Sequence, residues 1–184
     1  MNRLRQLLLA LAPALLLATT AGCEPESPKD GGARPPAAPS SSSPAEPTTT
    51  NISAPLPENG FRASLTPSGP PTRMRAGERA VVQVKVKNAS PAAWPAAGEA
   101  SGKFAITLRN RWLAPDGERV VNDLDGGASL PHDLAPGAEV SVPLRITAPK
   151  QPGDYVLEFD MVQEQVNFFR ERGSTPARLT VKVE

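Results

Sequence analysis

The chain has 184 residues, a formal net charge of +1, and 20 basic side chains against 19 acidic ones. Because the two signs are mixed along the chain, the composition argues against a basic face for phosphate groups, and we expect no nucleic-acid partner. The single cysteine excludes an internal disulfide, and the single histidine leaves few ways to build a catalytic or metal site.

Residues 1–22 have the order of a signal peptide. Met1–Gln6 carries two arginines and no acid, Leu7–Leu17 is almost entirely Leu and Ala, and small residues precede Cys23. The apolar run is shorter than the roughly 20 residues that a membrane-spanning helix requires. We therefore expect a cleaved leader and a mature chain that does not span a membrane.

The segment Thr20-Ala21-Gly22-Cys23 resembles the lipobox of bacterial lipoproteins, with Thr20 where that motif usually has leucine. The resemblance implies cleavage before Cys23 and a diacylglyceryl thioether on its sulfur. The chain would then contact a membrane through lipid on Cys23, in the bacterial envelope, and in the outer membrane of a Gram-negative cell. The alternative is an ordinary secretory leader in which Cys23 is incidental.

Residues 23–58 are rich in Pro, Ser, Thr, Ala and Gly and contain almost no large apolar side chains. Such a segment cannot bury enough surface to offset its chain entropy, so we expect it to be disordered. Its mixture of proline-rich and flexible stretches predicts a tether that holds a folded domain away from the lipid headgroups.

Residues 59–184 form one predicted domain, in which apolar residues recur at every second position. This period indicates strands with one face in a core and one in water. The pattern predicts an antiparallel β-sandwich of about seven strands and no amphipathic helix. The alternating runs are Phe61–Leu65, Ala80–Val86, Phe104–Trp112, Val140–Ile146, Tyr155–Met161 and Leu179–Val183, with Glu118–Val121 as a hairpin partner.

Turn residues punctuate these runs. Pro115-Asp116-Gly117 predicts a hairpin that folds Trp112 back against Glu118–Val121. Asn122–Gly127 is interpreted as a polar loop. Pro143 lacks a backbone N–H, which favours an edge strand for the run that contains it.

Two aromatic residues favour an immunoglobulin-like arrangement within this class. Trp112 points inward at the end of its strand, and Tyr155 follows Pro152-Gly153 at the start of the penultimate strand. A tyrosine there can form a tyrosine corner, in which its hydroxyl bonds to nearby backbone.

The strings Val84–Ser90, Trp94-Pro95, Asp133–Gly137 and Pro152–Tyr155 are similar to parts of the four-tryptophan Ig-like family. The segment Leu130–Leu134 and the Val-Gln-Glu run at residues 162–164 also resemble Ig-like modules attached to bacterial glycosyltransferases. Both resemblances imply an Ig-like fold and a role as a binding or spacing module. The chain departs from the first family because it has only two tryptophans, Trp94 and Trp112.

The residues do not assemble into a recognisable catalytic set, and we expect no enzyme activity and no cofactor. His132 stands beside Asp133 in a predicted exposed loop, without a nucleophile motif. Copper held by His132, Met74 and Met161 is a weaker alternative than core packing of the methionines. Calcium at the acidic residues Asp116, Glu118, Asp123 and Asp125 is a weaker alternative than solvated turns.

A binding module remains as the predicted function. Trp94 and the pair Phe168 and Phe169 are candidate stacking surfaces for a glycan, with Arg111 as a polar contact. Phe168 and Phe169 cannot both face inward on a regular strand. The alternative is a scaffold that contacts an envelope protein, for example through an edge strand. Metal handling is a lower alternative.

Overall fold

The computed structural model describes residues 54–184, except for the side chain of Leu124. The predictions for the signal peptide, for Cys23 and for most of the tether lie outside the described residues. Within residues 54–184, no helix combines the length and the apolar character that a membrane crossing requires.

The domain is an immunoglobulin-like antiparallel β-sandwich, as predicted. One sheet has the strand order β1-β3-β6, and the other has the order β2-β9-β7-β4-β5, with β8 paired to β7. Only the short pair of β2 with β9 is parallel. The strands are β1 (Ala63–Ser68), β2 (Arg73–Met74), β3 (Arg79–Asn88), β4 (Ile106–Leu113), β5 (Val120–Ser129), β6 (Glu139–Thr147), β7 (Gly153–Gln163), β8 (Asn167–Phe168) and β9 (Ala177–Val183), and 3-10 helices span Glu58–Gly60 and Phe169–Arg172.

The predicted alternation is observed on the inward faces of both sheets. The buried side chains include Val82, Val84, Val86, Val142, Leu144, Ile146, Leu157, Phe159, Met161, Val181 and Val183. The core also takes in Leu56, whose backbone N–H donates to Gln163 Oε1 at 2.9 Å. The folded part therefore begins before residue 59, and the core residues in the described part of the chain run from Leu56 to Val183.

The tyrosine corner is confirmed. The Tyr155 hydroxyl donates to the Gln151 backbone carbonyl at 2.9 Å, four residues upstream. The ring packs edge-on against the fully buried Trp112, with 6.3 Å between centroids. The hydroxyl bond fastens the turn before β7, and the ring contact adds to the pairing of β7 with β4.

The interpretation of Asn122–Gly127 as a polar loop is wrong. These residues belong to β5, which pairs with β4 so that Asn122 lies opposite Trp112. The polar and glycine-rich composition reflects a close approach of two sheet edges. Asp125 accepts a bond from the Thr147 backbone N–H on β6 at 2.5 Å, and a Cβ at Gly126 would clash with the Arg145 carbonyl oxygen.

Three smaller outcomes concern strand ends. Phe104 precedes β4 and has a φ of 70°, so it does not continue the predicted run. Phe61 likewise precedes β1, following the first 3-10 helix. Pro143 lies on β6, an edge strand of the smaller sheet, as predicted.

Candidate binding site

Trp94 is fully buried, which corrects its prediction as a stacking surface. Its Nε1 donates to the Gly60 carbonyl at 2.9 Å, and its ring meets the buried Phe169 ring edge-on at 5.0 Å. Phe169 also packs against Phe61 at 5.1 Å. Neither Trp94 nor Phe169 offers a face to a ligand, because both rings complete the core.

Phe168 remains at the surface, half-buried. It ends β8, opposite Val162 on β7, and the chain then turns into the second 3-10 helix, which carries Phe169 inward. The Arg170 guanidinium stacks on the Phe168 ring, 3.7 Å from its centroid. Phe169 alone faces inward, because the strand ends at Phe168 and the two residues do not share a regular strand.

The outer face of the larger sheet carries an ion-pair lattice formed by Arg109, Arg111, Glu158, Asp160, Glu164, Arg170 and Arg178. Glu158 lies at its centre, and its side chain has no exposed surface. Its Oε1 accepts from Arg111 Nε at 2.6 Å, and its Oε2 accepts from Arg178 Nε at 2.7 Å. Arg111 was predicted as a ligand contact, but its guanidinium is instead paired with the buried Glu158 carboxylate.

Asp160 lies beside Glu158 in the lattice and is nearly as buried. Its Oδ2 accepts from the Arg170 backbone N–H at 3.2 Å and from Arg170 Nη1 at 3.1 Å. These bonds favour the ionised form, but burial outweighs them and raises the pKa of Asp160 to about 6. The Asp160 carboxylate thus ties the second 3-10 helix to β7.

Glu164 occupies the other end of the lattice, just beyond β7. Its Oε1 accepts from Arg109 Nη2 at 2.8 Å and from Thr107 Oγ1 at 2.5 Å. Its backbone is bonded on both sides, since its N–H donates to the Ala105 carbonyl at 2.9 Å and its carbonyl accepts from Phe104 N–H at 3.0 Å. Glu164 is therefore held in place by backbone and side chain together.

Of the lattice residues, Arg109 and Glu164 line an open hollow of about 340 Å³, here named the Phe168 hollow. Gln165, in its wall, has a left-handed φ of 59°, an uncommon backbone conformation for a residue with a side chain. Across the hollow mouth, Asn167 Nδ2 donates to Glu171 Oε2 at 3.0 Å. The residues that line the hollow are Arg109, Val162, Gln163, Glu164, Gln165, Val166, Asn167, Phe168 and Glu171.

The sequence reasoning missed Glu158, Asp160 and Glu164, which it assigned to a solvated strand face or left out. A signal was present, because acids at alternate positions of one strand, Glu158 and Asp160, match Arg109 and Arg111 at the same spacing on another. Opposite charges that meet across neighbouring strands stabilise the pair. The register places Arg111 opposite Glu158 and Arg109 opposite Asp160.

The residues weighed for catalysis or metal binding are dispersed. His132 is exposed, and its Nδ1 lies 2.9 Å from the Asp133 backbone oxygen, not from a carboxylate. Met74 and Met161 are buried in the core. Asp116 accepts turn N–H groups from Glu118 and Arg119, which lower its pKa. In the part of the chain that the structure describes, no three His, Cys, Asp or Glu side chains converge to hold a metal.

The chain matches no protein-family model and no curated protein. Among solved structures it is similar to a β-glucosidase from Listeria innocua in complex with glucose, with 20% identity and a TM-score of 0.41 over 66% of this chain and 16% of that one. It is also similar to the CARDB domain of a Pyrococcus furiosus protein, with 16% identity and a TM-score of 0.40 over 66% of this chain and 93% of that one. The chain thus spans about a sixth of the glucosidase and most of the CARDB domain.

Proposed function

We propose that this chain is a lipid-anchored, non-catalytic envelope protein whose Ig-like domain binds a neutral saccharide unit in the Phe168 hollow. The observation that carries the proposal is the arrangement of one half-buried aromatic ring and several hydrogen-bonding side chains around a single open hollow. A sugar presents C–H groups on a ring face and hydroxyls at its rim. An aromatic face with polar groups beside it complements both.

The hollow is preorganised in the absence of ligand. Thr107 and Arg109 fix the Glu164 carboxylate, and the Arg170 stack fixes the Phe168 ring. Side chains that are already ordered lose less entropy when a ligand binds, which favours affinity at a small site. With one ring face covered by Arg170, the remaining surface of Phe168 is what a sugar would contact.

The anchoring half of the proposal comes from the sequence. Cys23 with its small preceding residues supports lipid attachment, and residues 23–58 have the composition of a tether. A domain anchored in this way would lie close to envelope saccharides, which is why we propose a saccharide as its ligand. The resemblance to Ig-like binding and spacing modules supports the same role.

The test is binding of residues 54–184 to neutral oligosaccharides released from the host envelope, measured by isothermal titration. Phe168→Ala should reduce the affinity at least ten-fold, because truncation removes the stacking surface. Phe168→Tyr is the matched control, since it keeps the ring, and it should bind within about two-fold of the parent.

Two results would contradict the saccharide assignment. One is the absence of saturable binding to any neutral oligosaccharide by the parent domain. The other is an equal loss of affinity in Phe168→Ala and Phe168→Tyr, which would mean that the ring does not act as a stacking surface. Thermal midpoints of both variants establish that each is folded.

An envelope protein partner is the second candidate. Val120 and Val121 are adjacent on the edge strand β5 and are 41% and 38% exposed, although large apolar side chains are otherwise mostly buried here. Exposed apolar residues on an edge strand suit contact with another protein. Recovery of one envelope protein by the parent domain, but not by Val120→Ser with Val121→Ser, would favour this candidate over the saccharide.

A further inference from the structure

A second surface differs from the ion-pair lattice because its cations lack carboxylate partners. Arg79, Arg145 and Lys150 are exposed, and none forms an ion pair or hydrogen bond with residues 54–184 through its side chain. Each arginine of the lattice, by contrast, has a carboxylate within 3.1 Å. Arg79 and Arg145 on the smaller sheet, together with Lys150, can therefore meet an external anion, whereas Arg111 on the larger sheet is already paired.

The register brings two of these cations together. Arg79 on β3 lies opposite Thr147 on β6, and Arg145 lies opposite Val81. The two arginines are thus diagonal neighbours on the outer face of the smaller sheet, with backbones about 7–8 Å apart. Lys150 follows shortly after the end of β6.

These residues border what we name the corner groove, where the edge strands β5 and β6 meet. It consists of two adjoining hollows, of about 690 and 430 Å³, which share Arg79 and Thr147 as lining residues. Arg145 borders the larger hollow and Lys150 the smaller. The cations therefore occur along the length of the groove.

Among residues 54–184, only one carboxylate lines the corner groove, that of Asp125, and it is already bonded. Its Oδ2 accepts from the Thr147 backbone N–H at 2.5 Å, from Asn110 Nδ2 at 3.2 Å and from Trp112 Nε1 at 3.4 Å. Three cations against one such carboxylate leave the groove positive. Its potential favours a ligand that carries repeated negative charge.

We propose that the corner groove binds a strand of acidic polysaccharide, one that bears carboxylate or phosphate groups. This site is separate from the Phe168 hollow and does not depend on it. Arginine suits both kinds of anion, because its planar donors match two oxygens at once. The length of the groove, with cations at more than one point, fits an extended polymer and not a single ion.

The edge geometry disfavours a peptide strand as the occupant. At this corner the Thr147 N–H is taken by Asp125, and the β5 backbone at Gly126 lies against the Arg145 carbonyl. A peptide that adds to a sheet needs free N–H and C=O groups along the edge. A flat bilayer would also fail to enter a concave groove, so contacts from side chains to a flexible polyanion fit best.

The test compares polymers that differ only in charge. Fluorescence anisotropy would follow residues 54–184 binding to labelled carboxymethyl dextran, dextran phosphate and unmodified dextran. We expect saturable, salt-sensitive binding to at least one charged polymer and none to unmodified dextran. The variant Arg79→Gln with Arg145→Gln and Lys150→Gln should bind the charged polymer at least ten-fold more weakly.

The matched control removes three cations that are already ion-paired, through Arg73→Gln with Lys85→Gln and Lys87→Gln. It should stay within about two-fold of the parent. Equal losses in the two triple variants, or no binding to either charged dextran, would overturn the proposal. The same two proteins would also be tested with poly-glutamate and with phosphatidylglycerol vesicles. If the groove variant loses binding only to poly-glutamate, or only to the vesicles, the occupant is a protein or a lipid and the proposal is overturned.

Discussion

At the scale of single residues, Tyr155 fastens the turn that leads into β7, because its hydroxyl bonds to backbone four residues upstream. Its hydroxyl bond to the Gln151 carbonyl is partly buried. Tyr155→Phe should lower the free energy of unfolding by about 1 kcal/mol, the usual net value of one hydrogen bond. Urea denaturation measures this change.

The matched control for the tyrosine corner is Gln151→Ala. The acceptor is the backbone carbonyl of Gln151, and the Gln151 side chain is exposed, so this variant should keep the stability of the parent. A loss as large as that of Tyr155→Phe would show that the region, and not the hydroxyl bond, sets the stability.

Asp160 makes the stability of the folded domain fall as the pH rises. Its folded pKa of about 6 lies above the ordinary value of 3.8, so between these values the folded chain holds a proton that the unfolded chain has lost. The contribution of Asp160 to stability is therefore greatest below about pH 4 and declines as the pH rises through 6. The decline is on the order of 3 kcal/mol.

Asp160→Asn cannot ionise and should lack this decline. Urea denaturation of parent and variant between pH 4 and 7 should show the parent losing stability relative to Asp160→Asn as the pH rises. Asp154→Asn, at an exposed position of the same strand, should follow the parent. Parallel curves for the parent and Asp160→Asn would contradict the assigned pKa.

The sequence predicts which residues face inward more reliably than which polar residues are buried. Tyr155 and Trp112 could be placed because strand parity and a local turn decide their positions. Glu158 could not, because its burial depends on Arg111, Arg170 and Arg178, which come from other elements. Trp94 was equally undetermined, since Gly60 and Phe169 enclose it from distant parts of the chain.

At the scale of elements, β5 illustrates how a strand can look like a loop. Its glycines and acids weaken the alternation that identifies a strand, yet they allow its edge to approach β6. Gly126→Ala should destabilise the domain by roughly 1–3 kcal/mol, because its Cβ would clash with backbone at Arg145 and with the Asn110 side chain. Thermal or urea unfolding tests this prediction.

Gly127→Ala is the neighbouring control. The three atoms nearest to a Cβ there belong to the Arg109 guanidinium, which can shift more readily than backbone, so we expect a smaller loss of stability than for Gly126→Ala. If both alanine variants unfold with the parent's midpoint, the two sheet edges do not depend on the close contact at Gly126.

The hairpins and the strand order could be predicted in part from the sequence. Turn residues predicted the connection from β4 to β5, although the hairpin extends to Ser129, well beyond the predicted partner strand. The Phe168 hollow was only partly accessible. Its aromatic residue, Phe168, was identified, but the polar groups beside it depend on how β4, β7 and β8 pair.

At the scale of the whole molecule, we propose an anchor, a tether and a domain with two separate candidate surfaces. The Phe168 hollow suits a neutral saccharide unit, and the corner groove suits an acidic polymer. Attachment to the envelope would place both surfaces where such ligands occur. Anchoring is therefore the claim on which the biological role of both surfaces depends.

The most direct measurement is the intact mass of the full chain isolated from fractionated bacterial cells, compared with that of Cys23→Ser. We expect a membrane-bound parent that begins at Cys23 and carries the mass of attached lipid. We also expect a Cys23→Ser variant without lipid that keeps its leader or leaves the membrane fraction as a soluble form. A parent without lipid, or a Cys23→Ser variant retained as a cleaved membrane form like the parent, would contradict lipid anchoring through Cys23.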